Sequence, residues 1–267
     1  MKAIILSAGQ GKRLFPLTRK LPKCLVDIRG RSILEWQIEV LRFCGIESII
    51  VVTGFMHEKV EGILTSRYSS KHIQALYNPE FAKADNLFSC WKASKQMTED
   101  FILLNGDTLF EPDVLKKLLS MASGDITITI NRKDRYDADD MKVMIQSDRL
   151  VRVGKDLDAH MVNGESIGLS FFKQKGPYIF KKALDEAVKE SGAAKRWYLS
   201  VIDKLAQKGL VHVVDISGLA WCEIDFPRDL KSAEGVVSVI EDALFAQDHG
   251  HLSSNSYKAT ARAMIRK

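Results

Sequence analysis

The sequence predicts an α/β domain with an open, mixed and mostly parallel sheet and helices on both faces. Short runs rich in Ile, Val and Leu alternate along the chain with stretches that have helical spacing of apolar residues. These runs are nearly continuous in apolar character, which is typical of strands buried on both faces. With 267 residues, 46% of them hydrophobic, the chain is long enough to bury such a sheet.

The first half of the chain repeats a strand and helix unit. Strands are predicted at residues 2–6, 48–53, 72–77, 101–104 and 125–130. Ser32 and Glu35 have the spacing of a capping box, which starts a helix that ends at Gly45. Further helices are predicted at residues 57–68, 86–97 and 111–121.

The pattern changes after Asn131. Residues 132–140 form a charged loop, and the segments that follow predict a hairpin (141–147 and 150–153), a strand (166–172), two helices (177–190 and 196–207), two strands (211–216 and 221–225) and a closing helix (227–245). We therefore predict one domain over residues 1–248, in which 1–131 form the first half, 132–218 an inserted lobe and 219–248 the closing strand and helix. Residues 249–267 form a basic tail.

Composition and charge exclude several classes of protein. The net charge is +5, but four basic side chains lie in the last ten residues, so the rest of the chain is close to neutral and no nucleic-acid partner is expected. The four cysteines show no metal-binding spacing and predict neither a zinc site nor a disulfide scaffold. No run approaches about 18 apolar residues, so we expect a cytoplasmic protein without a membrane partner.

A loop rich in small residues follows the first strand. Residues 7–14 read Ser-Ala-Gly-Gln-Gly-Lys-Arg-Leu, so backbone amides can turn inward around an anion while Lys12 and Arg13 add positive charge. The loop is not a dinucleotide fingerprint, because Leu14 replaces the third glycine, and it is not a Walker A loop, because Leu6 replaces the first. A tight turn with solvated cations is the alternative interpretation.

Three further motifs accompany this loop elsewhere in the chain. Pro-Lys-Cys-Leu begins at Pro22, Asn-Gly-Asp ends at Asp107 and Glu-Ile-Asp ends at Asp225. With Gly-x-Gly-x-Arg-Leu in the loop, the chain resembles, over residues 1 to about 240, the nucleotidyltransferases that make nucleoside-diphosphate-activated sugars and alcohols. The resemblance implies a Rossmann-like fold of the nucleotide-diphospho-sugar transferase type, with a nucleotide-binding half at 1–131 and an acceptor-binding insertion at 132–218.

The resemblance also implies roles for particular residues. Arg13, Lys23, Asp107 and Asp225 are the expected catalytic residues, and the two aspartates, which follow predicted strands, are the expected Mg²⁺ ligands. Taken singly, either aspartate could be a turn or helix-cap residue. The expected acceptor contacts are Lys155, Lys142 and Glu165. The expected nucleotide contacts are Leu6, Ala8, Gly9, Gly11, Lys12, Arg13, Asn86, Ser89 and Gly106.

The segment around Asn86 and Ser89 resembles the cytidylyltransferase branch of that family, which acts on phosphocholine, aminoethylphosphonate or inositol phosphate. This resemblance favours CTP as the nucleotide, Mg²⁺ as the cofactor and a small phosphate or phosphonate compound as the acceptor. Three alternatives stay open: a sugar-1-phosphate nucleotidyltransferase using UTP or dTTP, a non-catalytic nucleotide-binding regulatory relative, and a nucleotide-sugar glycosyltransferase, against which the lack of Asp-x-Asp counts. The sequence does not select the acceptor, and it leaves a homodimer open.

Overall fold

The computed structural model describes residues 1–248, and the predicted basic tail lies outside the described residues. The strands are β1 Lys2–Ser7, β2 Asp27–Ile28, β3 Arg31–Ser32, β4 Ser48–Thr53, β5 Ile73–Tyr77, β6 Phe101–Asn105, β7 Thr108–Phe110, β8 Ile126–Asn131, β9 Lys142–Gln146, β10 Arg149–Gly154, β11 Gly164–Phe172, β12 Val211–Asp215 and β13 Trp221–Glu223. The α-helices are α1 Ile33–Phe43, α2 His57–Arg67, α3 Asn86–Lys92, α4 Pro112–Met121, α5 Gly176–Ala187, α6 Leu199–Ala206 and α7 Asp229–Asp248.

The main sheet has nine strands in the order β5-β4-β1-β6-β11-β8-β12-β10-β9. Strands β5, β4, β1 and β6 run parallel, as do β8 and β12. Strand β11 lies antiparallel between β6 and β8, and the β9–β10 hairpin closes the far edge. The predicted mixed and mostly parallel sheet is confirmed.

Helices cover both faces of this sheet, also as predicted. Side chains alternate along β1, so Ala3 and Ile5 join one core while Ile4 and Leu6 join the other. Helices α1, α2, α4 and α7 pack on the first face, and α3, α5 and α6 pack on the second. Within residues 1–248, no helix has the length and apolarity that crossing a membrane requires.

Several local features differ from the sequence prediction. Strands β7 and β13 form a separate two-stranded antiparallel sheet, and β7 was not predicted because three residues give no periodicity. The predicted helix at 86–97 changes to a 3₁₀ helix over Ala93–Gln96, and the one predicted from residue 196 begins at Leu199. Residues 132–218 contribute β9 to β12 to the main sheet. Their role in binding an acceptor stays a prediction.

Candidate active site

A cleft of about 380 Å³ opens where β1 and β6 end. The carboxyl ends of parallel strands are the usual ligand-binding edge of an open α/β sheet. The cleft is lined by most of the residues predicted for the site: Leu6, Ala8, Gly9, Gly11, Arg13, Lys23, Asn86, Ser89, Gly106, Asp107, Lys155 and Asp225. Lys12, Lys142 and Glu165 do not line it.

The loop after β1 is shaped by Gly11. This residue has φ +71°, in the left-handed region that glycine adopts without strain. A β-carbon at this position would lie 2.8 Å from Cβ of Lys23. The hydroxyl of Thr18 donates a hydrogen bond to the Gly11 carbonyl at 2.6 Å. The aliphatic stem of Lys23 therefore packs directly against the loop, in space that any side chain at position 11 would take.

Lys23 lies between two carboxylates at the base of the cleft. Its Nζ donates to Oδ2 of Asp107 at 2.7 Å and to Oδ1 of Asp225 at 2.6 Å. Arg13 Nη2 lies 2.7 Å from the other oxygen of Asp225. Burial alone would lower the pKa of Lys23, but the adjacent carboxylates of Asp107 and Asp225 outweigh it and hold this pKa above its ordinary value. Lys23 is therefore a fixed positive charge at neutral pH.

Asp107 and Asp225 belong to two chain segments that the β7–β13 pairing holds side by side. The backbone N–H of Ile224 donates to the Asp107 carbonyl at 3.0 Å. On the other side, the Asp229 carboxylate accepts from the backbone N–H groups of Asp225 and Phe226 at 2.8 and 2.7 Å. These backbone contacts fix both aspartates at the same end of the cleft, although they are far apart in the sequence.

A third carboxylate completes this cluster. Oxygen atoms of Asp107, Glu223 and Asp225 lie within 4.8 Å of one another. Oδ1 of Asp107 is buried and has no hydrogen-bond partner among the described residues. A buried acceptor without a donor is costly, and a cation would satisfy it. Because Mg²⁺ prefers oxygen ligands, this set of donors fits a hard divalent cation.

Glu223 belongs to the Glu-Ile-Asp motif that ends at Asp225, but the sequence did not predict it as a metal ligand. The spacing of two residues between Glu223 and Asp225 was an available signal, since alternate residues of an extended segment point the same way. Glu223 reaches the open cleft, yet its carboxyl is partly withdrawn from water. That withdrawal and the charges of Asp107 and Asp225 raise the pKa of Glu223 to about 8. The crowding of negative charge is the electrostatic signature of a cation site.

The rim beside α3 carries Asn86 and Ser89, two of the side chains predicted to contact the nucleotide. Oδ1 of Asn86 accepts a hydrogen bond from the Tyr198 N–H at 2.9 Å. Oγ of Ser89, which is buried, accepts one from Nδ2 of Asn78 at 3.0 Å. Protein contacts thus hold both side chains in place at the cleft wall, which reduces the entropy lost when a ligand binds.

Lys155, which was predicted to contact the acceptor, lines the same cleft. Its Nζ is 3.5 Å from Oδ1 of Asp139 and 4.9 Å from the centre of the Trp197 ring. The same Asp139 oxygen is 3.7 Å from Nη1 of Arg13. Two cations therefore face the cleft here with one exposed carboxylate between them, an arrangement that suits a phosphate or phosphonate group.

The other two predicted acceptor residues lie behind this wall. Nζ of the buried Lys142 donates to the carbonyl of Lys155 at 3.0 Å. The buried Glu165 carboxylate is 2.7 Å from Nζ of Lys133 and accepts from Nδ2 of Asn131 at 3.0 Å. In this structure they support the segments that carry Lys155 and Asp139, and direct contact with an acceptor stays a prediction.

Comparisons with known proteins identify the family of the chain. Residues 2–234 match the model of the nucleotidyl transferase family. A CMP-5'-(3-aminopropyl)phosphonate synthase of Streptomyces rubellomurinus is 29% identical over 88% of this chain, which spans 38% of that protein's length. A CTP:phosphoglutamine cytidylyltransferase of Campylobacter jejuni is 28% identical over 86% of this chain and 98% of its own. The inositol-1-phosphate CTP transferase of T. maritima superimposes with a TM-score of 0.76 at 26% identity, covering 90% of this chain and 96% of its own. The chain therefore belongs to the nucleotidyl transferase family.

Proposed function

We propose that the protein is a Mg²⁺-dependent cytidylyltransferase that transfers CMP from CTP to a small phosphate or phosphonate acceptor and releases pyrophosphate. The observation that carries the proposal is the convergence of Lys23 and Arg13 with the carboxylates of Asp107, Glu223 and Asp225 at one end of the cleft. Neither a silent nucleotide-binding relative nor a simple binding module needs this combination of charges.

The proposed reaction is an in-line displacement at phosphorus. An acceptor oxygen forms a bond to the α-phosphorus of CTP, and the bond from that phosphorus to the bridging oxygen breaks as pyrophosphate leaves. The acceptor phosphate is already ionised at neutral pH, so no general base is required. The protein's contribution is to position the two substrates and to neutralise charge.

Different residues of the chain position the substrates and neutralise their charge. The loop at Gly9 and Gly11 holds the triphosphate with backbone amides, and Arg13 and Lys23 neutralise its charge. Lys155 receives the acceptor's phosphate. Asp107, Glu223 and Asp225 would hold Mg²⁺, which neutralises phosphate charge and acts as a Lewis acid when bound.

CTP and the acceptor class rest on the relatives. Their names describe cytidylyl transfer to, or products from, an aminopropylphosphonate, phosphoglutamine and inositol phosphate. A choline-phosphate cytidylyltransferase of Streptococcus pneumoniae is a further relative, at 25% identity. These acceptors share a phosphate or phosphonate on a small polar body, which is the chemistry proposed for the substrate of this chain.

Pyrophosphate release tests the proposal. The purified chain is incubated with Mg²⁺ and each of CTP, UTP, dTTP, ATP and GTP against phosphocholine, 2-aminoethylphosphonate, inositol phosphate, phosphoglutamine and glucose 1-phosphate. We expect release with CTP and one of the phospho-alcohols, phosphoglutamine or the phosphonate. Preference for UTP or dTTP with glucose 1-phosphate would establish the sugar-nucleotide alternative instead. No release with any pair would point to an acceptor outside this panel or to the regulatory alternative, and tight binding of CTP with Mg²⁺ would then favour the former.

A further inference from the structure

Gln37 is a polar residue buried in the interior beneath the cleft. It lies on α1 among apolar neighbours, and only 1% of its surface is exposed. A buried amide costs free energy unless its polar atoms form hydrogen bonds. Its position behind the cleft floor, away from the cleft lining, raises the question of what the amide does.

The amide group of Gln37 contacts the chain on both sides of Asp107. Its Nε2 donates to the carbonyl of Asn105 and to the carbonyl of Thr108, each at 2.8 Å. Both donors of one NH₂ group are therefore used, and they join the end of β6 to the start of β7. Asp107 lies in the two-residue turn between those carbonyls.

The helix that carries Gln37 is itself firmly placed. The capping box of Ser32 and Glu35 fixes the start of α1, with the Ser32 backbone N–H donating to the Glu35 carboxylate at 2.9 Å. Neighbouring residues of α1 are fully buried in the core. Gln37 thus links a rigid helix by hydrogen bonds to the turn that contains Asp107.

We infer that Gln37 is a positioning residue for the cation site: its amide fixes the Asn105–Thr108 turn so that the Asp107 carboxylate faces Glu223 and Asp225. The inference rests on the proposed function for the identity of that site. Catalytic geometry is sensitive to such support, since a misplacement of about 1 Å can cost about a hundredfold in rate.

The first test measures the turn directly. Gln37→Met keeps the volume of the side chain but removes both donors. The matched control is Trp36→Phe, which removes a hydrogen bond from the neighbouring buried side chain of α1 to the carbonyl of Ile28. We expect hydrogen exchange at residues 106–109 to accelerate at least about tenfold in Gln37→Met and to stay near wild type in Trp36→Phe.

The second test measures the consequence for the cation. Mn²⁺ binding, followed by electron paramagnetic resonance without substrates, should weaken about tenfold or more in Gln37→Met and remain within about twofold in Trp36→Phe. Gln37→Glu keeps the length and can donate at most one hydrogen bond, so we expect an intermediate affinity. In turnover, kcat should fall while the KM for CTP at saturating cation stays within about twofold, because the loop around Gly11 is untouched.

The outcomes separate the two proposals. If exchange at 106–109 is unchanged in Gln37→Met, or rises equally in Trp36→Phe, the positioning role is refuted. If Gln37→Met does not fold, exchange in Gln37→Glu decides the same question. If the wild-type chain fails to bind Mn²⁺ through Asp107, the metal site of the proposed function is wrong, while the exchange experiment still decides whether Gln37 fixes the turn.

Discussion

Replacing Lys23 by methionine separates the structural role of this ammonium group from its catalytic role. The substitution keeps most of the buried stem and removes one charge that lies within 2.7 Å of both Asp107 and Asp225. Three carboxylates would then face one another without that cation. Removing one partner of a buried ion pair costs roughly 3–5 kcal/mol, and the lower figure applies because the carboxylates are about one-fifth exposed.

A loss of about 3 kcal/mol predicts a decrease in Tm of roughly 6–9 °C for a chain of this size. Because a divalent cation can replace the lost charge, Mg²⁺ at about a hundred times its Kd should restore about 2.7 kcal/mol of that stability. Turnover should nevertheless stay about a hundredfold or more below wild type, because in the proposed mechanism Lys23 also neutralises the nucleotide in the transition state. Thermal melts with and without Mg²⁺, and initial rates, measure both effects.

Lys20→Met is the matched control, since Lys20 is an exposed lysine in the same segment. We expect its Tm to change little and its rate to remain near wild type. A Lys23→Met protein whose Tm is unchanged and insensitive to Mg²⁺ would refute the electrostatic account of the cluster. Recovery of full turnover by Mg²⁺ would refute the catalytic role of Lys23.

The remaining predictions concern the carboxylates, the loop and the thiols. Asp107→Asn and Asp225→Asn should each lower kcat by about a hundredfold with the fold intact, and near-normal rates at saturating Mg²⁺ would remove them from the metal site. Gly11→Ala should weaken CTP binding in calorimetry, because alanine adopts the φ of +71° at this position only with strain and its methyl group would lie 2.8 Å from the β-carbon of Lys23. Unchanged affinity would contradict this close packing. Burial raises the pKa of Cys24 to about 12 and that of Cys44 to about 11, so iodoacetamide at about pH 8 should modify neither thiol at an appreciable rate until the chain is denatured. Mass spectrometry measures the modification, and rapid alkylation of either thiol in the folded chain would contradict this prediction.

The sequence predicts features that depend on local pattern. Buried parallel strands are continuous apolar runs, and the capping box at Ser32 appears in the structure as the sequence indicates. Asp107 and Asp225 could be assigned to one site because each follows a strand and ligands bind at that edge. A resemblance carried by several motifs then gave the family, which the family model confirms.

Features that depend on tertiary contacts could not be predicted in this way. Glu223 joins the carboxylate cluster only because β13 pairs with β7, a strand too short to show periodicity. Gln37 falls on a helix whose pattern indicates only a buried face, and its two acceptors lie far along the chain. Glu165 is an acidic residue of the predicted acceptor region, but only the structure shows that its carboxylate forms an ion pair with Lys133.

The most direct test of the central claim is to identify the product of transfer. The chain, CTP, Mg²⁺ and the acceptor selected by pyrophosphate release are mixed, and the products are separated and weighed by mass spectrometry. The account predicts a conjugate of CMP and the acceptor, one pyrophosphate for each conjugate, and conjugate formation about a hundredfold slower with Asp107→Asn. Hydrolysis of CTP to CMP without a conjugate, or a conjugate of equal yield from UTP, would contradict it.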